Sequence, residues 1–275
     1  MKTVFMFSGQ GAQYAGMGKE LYRNYAVAKD IFDRADAVLG YSIKDICFQD
    51  EKKLGETEYA QPAILTMSIA AMKVLEEQGV RANMTAGLSL GEYSAYVASG
   101  AMDFEEAVAL VQKRGRFMTE AVPSGEGAMY AIIGLDQDLV EEACDEATAL
   151  GMGLAVPANY NAPGQIVIAG KTEAVAKAAE LAKQAGARRC IPLKVSGPFH
   201  TRLMAPAGDA LAKRFAAEPF GEMSVPVLFN CLGREKAESD SIPALLVRQV
   251  QSSVYMEDTL HRLGELGVDH ILEVG

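Results

Sequence analysis

Pro123-Ser124-Gly125-Glu126-Gly127 divides this sequence into two regions with different rhythms. Proline and glycine in such density stop a helix and open a loop. Downstream, alternation and apolar periodicity predict a strand over 128–134, a helix over 138–150, strands over 154–157 and 165–169, a helix over 172–185 and a closing strand over 189–195. Between the two middle strands lies Asn159-Tyr160-Asn161-Ala162-Pro163-Gly164, which reads as their connection. The order β-α-β-β-α-β predicts a ferredoxin-like unit over 125–195. It is inserted into a larger α/β lobe made of 1–124 and 196–275, and a cleft between two lobes is a common substrate site.

Outward from the break, residues 103–122 read as a long helix, with Asp103 and Glu106 at capping-box spacing. Thr3-Val4-Phe5-Met6-Phe7 is a continuous apolar run ending at Ser8-Gly9, as in a strand covered on both faces. Residues 64–72 are apolar nearly all round, which predicts a helix buried in the core. Residues 84–87 read as a short strand, a helix of small residues follows Ser89, and further strands are expected over 225–229 and 270–274. The fold class is α/β.

The 275 residues suffice for a large core, and 49% apolar with 23% charged residues is an ordinary globular balance. A net charge of −10 argues against nucleic-acid binding, which relies on clustered Lys and Arg. No apolar run reaches the ~20 residues of a membrane span, and the N-terminus has no signal-like apolar segment. Cys47, Cys144, Cys190 and Cys231 are scattered without metal-ligand spacing, so reduced thiols in a cytoplasmic protein are expected and no metal is.

Gly87-Leu88-Ser89-Leu90-Gly91 fits G-x-S-x-G between a predicted strand and a predicted helix. Glycines on either side let neighbouring backbone pass a sharp turn closely, which exposes the serine hydroxyl. The pentapeptide alone also fits a simple turn serine. A nucleophilic serine needs a base, and the chain offers His200, His261 and His270. His261 falls on the polar side of its helix and His270 opens a strand. His200 stands in a loop directly after a strand, where catalytic groups often lie. Arg114 is three residues from Val111 and four from Met118, on the apolar stripe of its helix. A guanidinium there needs an anion, either an internal carboxylate or one on a substrate, unless its stem reaches the surface.

Taken in order, these motifs are highly specific. They are Phe7-Ser8-Gly9-Gln10-Gly11-Ala12-Gln13, Gln61-Pro62-Ala63, Gly87-Leu88-Ser89-Leu90-Gly91-Glu92-Tyr93-Ser94, Arg114-Gly115-Arg116-Phe117-Met118, Asn159-Tyr160-Asn161-Ala162-Pro163-Gly164-Gln165, Ser196-Gly197-Pro198-Phe199-His200 and Val247-Arg248-Gln249. From residue 3 to residue 275 the chain resembles the malonyl-coenzyme A:acyl carrier protein transacylases. The resemblance implies an α/β-hydrolase-like larger lobe with the ferredoxin-like lobe inserted. It implies Ser89 as nucleophile, His200 as its base held by the Gln249 carbonyl, Arg114 as clamp for the malonyl carboxylate, and the amides of Gln10 and Leu90 as oxyanion hole. Gln61, Asn159, Asn161 and Phe199 would complete the substrate site, Phe199 favouring malonyl over methylmalonyl.

The implied reaction moves malonyl from coenzyme A to the phosphopantetheine thiol of an acyl carrier protein, without metal or redox cofactor, in a monomer. An acidic carrier would meet a basic surface, for which Lys183, Arg188, Arg189, Lys194 and Arg202 are the candidates. Two departures stand out. Leu88 occupies the position before the nucleophile where the family usually has His, and the family continues past Gly275 through a further turn and helix, so the terminal strand is expected to be thinly covered.

Three rival readings have clear discriminators. A serine hydrolase would let water resolve the acyl-enzyme. A nucleotide-binding module is suggested by Gly9-Gln10-Gly11, but Tyr14 stands where G-x-G-x-x-G needs its third glycine, and no Gly-Lys-Ser/Thr follows. A silent carrier-binding scaffold would leave Ser89 unacylated.

Overall fold

The computed structural model describes residues 1–195, 197–217 and 220–275. Ser196, which opens the Ser196–His200 motif, lies outside the described residues. The chain forms a mixed α/β structure with two sheets.

The first sheet is parallel, with β1 (Thr3–Phe7) between β2 (Met84–Gly87) and β8 (His270–Val274). Its centre is covered on both faces, which is why β1 reads as a continuous apolar run. Phe5 and Phe7 enter the main core, while Val4 packs with Met84, Ala86, Leu228 and Leu263 on the other side. β8 is the edge strand, with Ile271 46% exposed. Residues 225–229 do not form the expected strand. Thr85 donates to Pro226 O and accepts from Leu228 N, giving one bridge at Val227. Pro226 has no N–H to extend the ladder, and Phe229 already pairs with Arg234.

Helices α1 (Lys19–Asn24), α2 (Ala26–Leu39), α3 (Ile43–Gln49) and α4 (Glu51–Leu54) lead into α5 (Thr57–Glu77), which is buried on most sides, as its apolar surround predicts. After β2 come α6 (Gly91–Ser99) and α7 (Phe104–Glu120). Asp103 is the N-cap of α7 through its backbone only, and the expected capping box does not form. The neighbouring Glu105 pairs with Arg34 at 2.6 Å instead.

The second unit follows the expected order: β3 (Gly127–Ile133), α8 (Gln137–Ala149), β4 (Ala155–Ala162), β5 (Gln165–Lys171), α9 (Thr172–Gln184) and β6 (Arg189–Pro192). Its strands lie in the antiparallel order β6-β3-β5-β4. One face carries Ile132, Ile166 and Ile168 into a core with α8 and α9. The other face contributes Met129, Val167 and Ala169 to the main core.

Two details differ from expectation. β4 runs on to Ala162, so Asn159 and Asn161 are strand residues, with register shifts after Pro157 and Tyr160 that re-aim side chains. The closing strand stops at Pro192, which frees Leu193 and Val195 to line the cleft.

The chain then forms α10 (Ala205–Phe215), α11 (Ile242–Gln251), β7 (Val254–Tyr255) and α12 (Met256–Glu265). β7 adds to β4 in parallel as a fifth strand, and Tyr255 stacks on Tyr160 with ring centroids 5.4 Å apart. Among the described residues no helix is long and apolar enough to cross a membrane. All four cysteines are unpaired, with Cys47, Cys144 and Cys231 buried.

Candidate active site

The turn from β2 into α6 is tight enough to exclude side chains on both flanking glycines. A Cβ on Gly91 would lie 2.2 Å from the Phe7 carbonyl oxygen, and one on Gly87 would lie 2.0 Å from the Gly91 carbonyl carbon. Between them Ser89 takes φ 52°, a left-handed conformation that strains a residue with a side chain. Asn230 bridges the turn. Its side-chain oxygen accepts from Ser89 N at 2.6 Å and its amide nitrogen donates to Gly87 O at 2.6 Å.

Ser89 Oγ lies 2.7 Å from His200 Nε2, and His200 Nδ1 lies 2.9 Å from the Gln249 carbonyl oxygen. A carbonyl only accepts, so Nδ1 carries the proton and Nε2 faces the serine hydroxyl with its lone pair. Burial, and behind it the Arg114 charge, lower the imidazole pKa from 6.5 to about 4, against the upward pull of backbone groups at Gln249 and Ser252. His200 is therefore a neutral acceptor at ordinary pH. The other two histidines are elsewhere: the His261 side chain is 71% exposed beside Glu257, and His270 is exposed against Met1.

Arg114 reaches the same spot from α7. Gly115 lets α7 press against α5, since a Cβ there would be 2.7 Å from Thr57 O. Arg114 is fully buried. Its guanidinium donates to Gln61 Oε1 at 2.9 Å, Gln249 Oε1 at 3.1 Å and Ser89 Oγ at 3.2 Å, and lies over the Tyr93 ring at 5.1 Å. No salt bridge reaches it among the described residues, and Nε has no hydrogen-bond partner there. Burial lowers its pKa, opposed by Tyr93 and Glu92; an arginine nonetheless stays protonated in proteins.

These groups open into one cleft of about 300 Å³ between the two sheets. Ser89, His200, Arg114, Gln10, Leu90, Gln61, Asn159, Asn161 and Phe199 all line it, with Met118, Met129 and Val167 as apolar wall. Leu88 lines it too and presents apolar surface at the position where the resemblance implied an imidazole. Asn161 Oδ1 has no partner, and the backbone N–H groups of Gln10 and Leu90 meet no protein acceptor among the described residues. The Gln10 side chain turns away to Thr57 Oγ1 at 3.1 Å. A larger hollow of about 670 Å³ along α8 is an open acidic surface, lined by Asp138, Glu141, Asp145 and their neighbours, and holds none of these groups.

Gln249, expected among the substrate-binding residues, is fully buried and does not line the cleft. It sits behind Ser89 and Arg114, its Nε2 donating to Ser89 O at 2.8 Å and to Glu92 Oε2 at 3.1 Å. Of the expected carrier surface, Arg188, Arg189, Lys194 and Arg202 are exposed, and Lys194 stands between two cleft-lining residues. Lys183 instead spends its ammonium on the carbonyls of Ala187 and Arg188.

Two site residues had no assigned role in the sequence reading. Asn230 gives no local signal. Glu92 lies three residues past Ser89 in a run of small and aromatic residues, where a carboxylate with no exposed face is itself a signal. It is fully buried, accepting from Tyr96 OH, from Asn230 N at 2.9 Å and from Gln249. Burial raises its pKa, and those donors with the Arg114 charge act in the opposite direction.

Residues 4–275 match the acyl transferase domain family. The malonyl CoA-acyl carrier protein transacylase of Bacillus subtilis is 46% identical over 275 residues, covering 100% of this chain and 86% of the relative. A crystal structure of MCAT from Streptococcus pneumoniae superposes with a TM-score of 0.93 at 48% identity, covering 100% of this chain and 89% of that one. A solved complex of a type II PKS acyl-carrier protein with its malonyl-transacylase gives a TM-score of 0.96 at 42% identity, covering 100% and 89%. The left-handed Ser89 turn, the histidine beside it and the buried arginine thus sit on a chain that belongs to the acyl transferase family, among the malonyl CoA-acyl carrier protein transacylases.

Proposed function

We propose that this enzyme transfers malonyl from coenzyme A to the phosphopantetheine thiol of an acyl carrier protein through a malonyl ester on Ser89. The observation that carries this reading is Arg114: a fully buried guanidinium without a carboxylate partner among the described residues, 3.2 Å from the nucleophile. A buried charge of that kind calls for an anion, and malonyl brings one. Arginine suits it because its planar fork matches a carboxylate.

His200 Nε2 takes the Ser89 proton as Oγ attacks the thioester carbon. The Gln10 and Leu90 amides stabilise the tetrahedral oxyanion, Ser89 N being already engaged by Asn230. Collapse breaks the C–S bond, and the proton on His200 leaves with the coenzyme A thiol. In the second half-reaction the carrier thiol gives its proton to His200, attacks the ester and releases Ser89 with that proton. Coenzyme A and phosphopantetheine are substrates, and these steps use no metal or redox group.

Lys194 and Arg202, with Arg188 and Arg189, form the surface proposed for the acidic carrier, and Asn159, Asn161, Gln61 and Phe199 shape the acyl site. The enzyme would act as a cytoplasmic monomer supplying malonyl units to fatty-acid or polyketide synthesis. Its larger lobe is read as α/β-hydrolase-like and 125–195 as the inserted ferredoxin-like lobe, a reading supported by the strand–elbow–helix at Ser89 and by the order β6-β3-β5-β4.

Intact-mass analysis after incubation with malonyl-coenzyme A tests the reading. A malonyl adduct on Ser89 should form and should be discharged on adding carrier protein. An adduct that water removes as fast as the carrier does would make the enzyme a thioester hydrolase, and no adduct at all would make it a silent scaffold.

A further inference from the structure

Nucleophile, base and clamp come from three distant parts of the chain, yet all three lead back to one carboxylate. Glu92 Oε2 accepts from Asn230 N at 2.9 Å, and Asn230 in turn clasps the elbow through Gly87 O and Ser89 N. The same oxygen accepts from Gln249 Nε2 at 3.1 Å. With that amide nitrogen committed to Glu92 and to Ser89 O, the Gln249 side-chain oxygen is left facing Arg114, at 3.1 Å. The Gln249 main-chain oxygen holds His200. Tyr96 OH donates to the other Glu92 oxygen and fixes the carboxylate from behind. Glu92 does not line the cleft and touches no reacting atom.

We propose that Glu92 is a positioning residue, the common acceptor that sets the Ser89 elbow through Asn230 and aims Arg114 through Gln249. The inference rests on the malonyl-transfer reading of the same site. If the Gln249 amide turned over, its N–H groups would face the guanidinium, donor against donor, and the clamp would be displaced. If Asn230 lost its backbone anchor, the left-handed Ser89 would lose the brace that holds it. What Glu92 must supply is an acceptor at Oε2. A glutamine can do the same, with its amide nitrogen toward the Tyr96 hydroxyl, which can rotate to accept.

The test compares Glu92→Gln, Glu92→Met, Asn230→Ala and Gln249→Leu in the full chain, each with a melting curve and with the fraction of Ser89 acylated counted by mass. Wild type must first form the malonyl adduct; if it does not, the functional reading fails and this inference is not what has been refuted. Glu92→Gln should keep kcat and the malonyl-to-acetyl preference within a few-fold. Glu92→Met leaves two buried donors without an acceptor and should slow acylation per acylated site on the order of tenfold to a hundredfold, with the malonyl preference reduced.

Where Glu92→Met does not fold, the other two variants carry the test. Asn230→Ala should slow malonyl and acetyl acylation alike, because it touches only the elbow. Gln249→Leu keeps its main-chain carbonyl and should lose malonyl much more than acetyl. A smaller acylated fraction with an unchanged rate per site in Glu92→Met and Asn230→Ala would reduce Glu92 to a structural residue. Glu92→Gln as damaged as Glu92→Met would show that charge, not the acceptor, matters, and would overturn the proposal as well.

Discussion

Replacing Arg114 by methionine separates a clamp for carboxylated acyl groups from an arginine that only holds the core together. Methionine keeps an unbranched stem against Tyr93 and removes the guanidinium. For malonyl, the mutant binds a carboxylate in a buried cleft with no partner. Breaking such a pair costs on the order of 3–5 kcal/mol, or roughly two to four decades in kcat/KM at ~1.4 kcal/mol per decade. For acetyl no charge goes unpaired, so the rate should hold or rise. The stability side is a near balance. The Gln61 and Gln249 side-chain oxygens lose their donor, at about 1–3 kcal/mol each if nothing replaces it. Against this, a buried charge with no ion pair of its own is removed, and its burial also costs several kcal/mol.

The melting temperature should therefore move little while selectivity collapses. The assay is malonyl and acetyl transfer side by side from their coenzyme A thioesters, with a melting curve on the same preparation. Equal loss of both substrates, together with a large fall in melting temperature, would refute the clamp and return Arg114 to a structural role.

Ser89→Ala should abolish the malonyl adduct, and an adduct persisting on another residue would sink the nucleophile assignment. Ser89→Gly should be more stable than Ser89→Ala by about 1 kcal/mol in chemical unfolding, because glycine adopts φ 52° without strain; equal stabilities would mean that the elbow stores none. His200→Ala should slow both half-reactions, whereas His261→Ala and His270→Ala should not, which parallel stopped-flow runs would check. Since His200 stays unprotonated down to about 4, kcat/KM for acylation should fall only as pH drops through that value, and removing the Arg114 charge should move this acid limb upward; a limb centred near 6.5 in wild type would contradict the burial argument. Charge reversal at Arg188 and Arg189 should raise the carrier's apparent KM and leave acylation by malonyl-coenzyme A unchanged, so unaltered carrier kinetics would remove that surface from consideration.

How much of this was legible in the sequence follows from where each residue's partners lie. β1 could be read because it is covered on both faces, and β2 because an elbow needs glycine on either side of its serine. The order of elements from 127 to 192 survived because each keeps its own period. The second half of β4 does not show in the sequence for a physical reason: Asn159-Tyr160-Asn161 has turn chemistry, but β5 and β7 flank it and supply partners on both edges. β7 has only two residues, too few for any period to show. The strand expected over 225–229 had the right composition, but Pro226 and the Phe229–Arg234 bridge leave it no ladder.

Ser89, His200 and Arg114 each carry a local mark, respectively a pentapeptide, a loop after a strand and a charge on an apolar stripe. Asn230 and Glu92 act through partners 141 and 138 residues away, and no window of sequence shows such a pairing. The same geometry explains why a carbonyl stands where many serine enzymes place an aspartate. On the proposed reading, the fixed cation 3.2 Å from Ser89 Oγ must be free to receive a substrate anion. An aspartate beside His200 would add a second resident anion next to Arg114, compete with malonyl for it and raise the imidazole pKa that Arg114 and burial hold down. The Gln249 carbonyl fixes the tautomer without adding charge. The one buried carboxylate near the site, Glu92, is kept a layer behind, separated from the guanidinium by the Gln249 amide. There its oxygen serves Asn230 and the Gln249 amide as an acceptor, without occupying the donors that malonyl would need on the proposed reading.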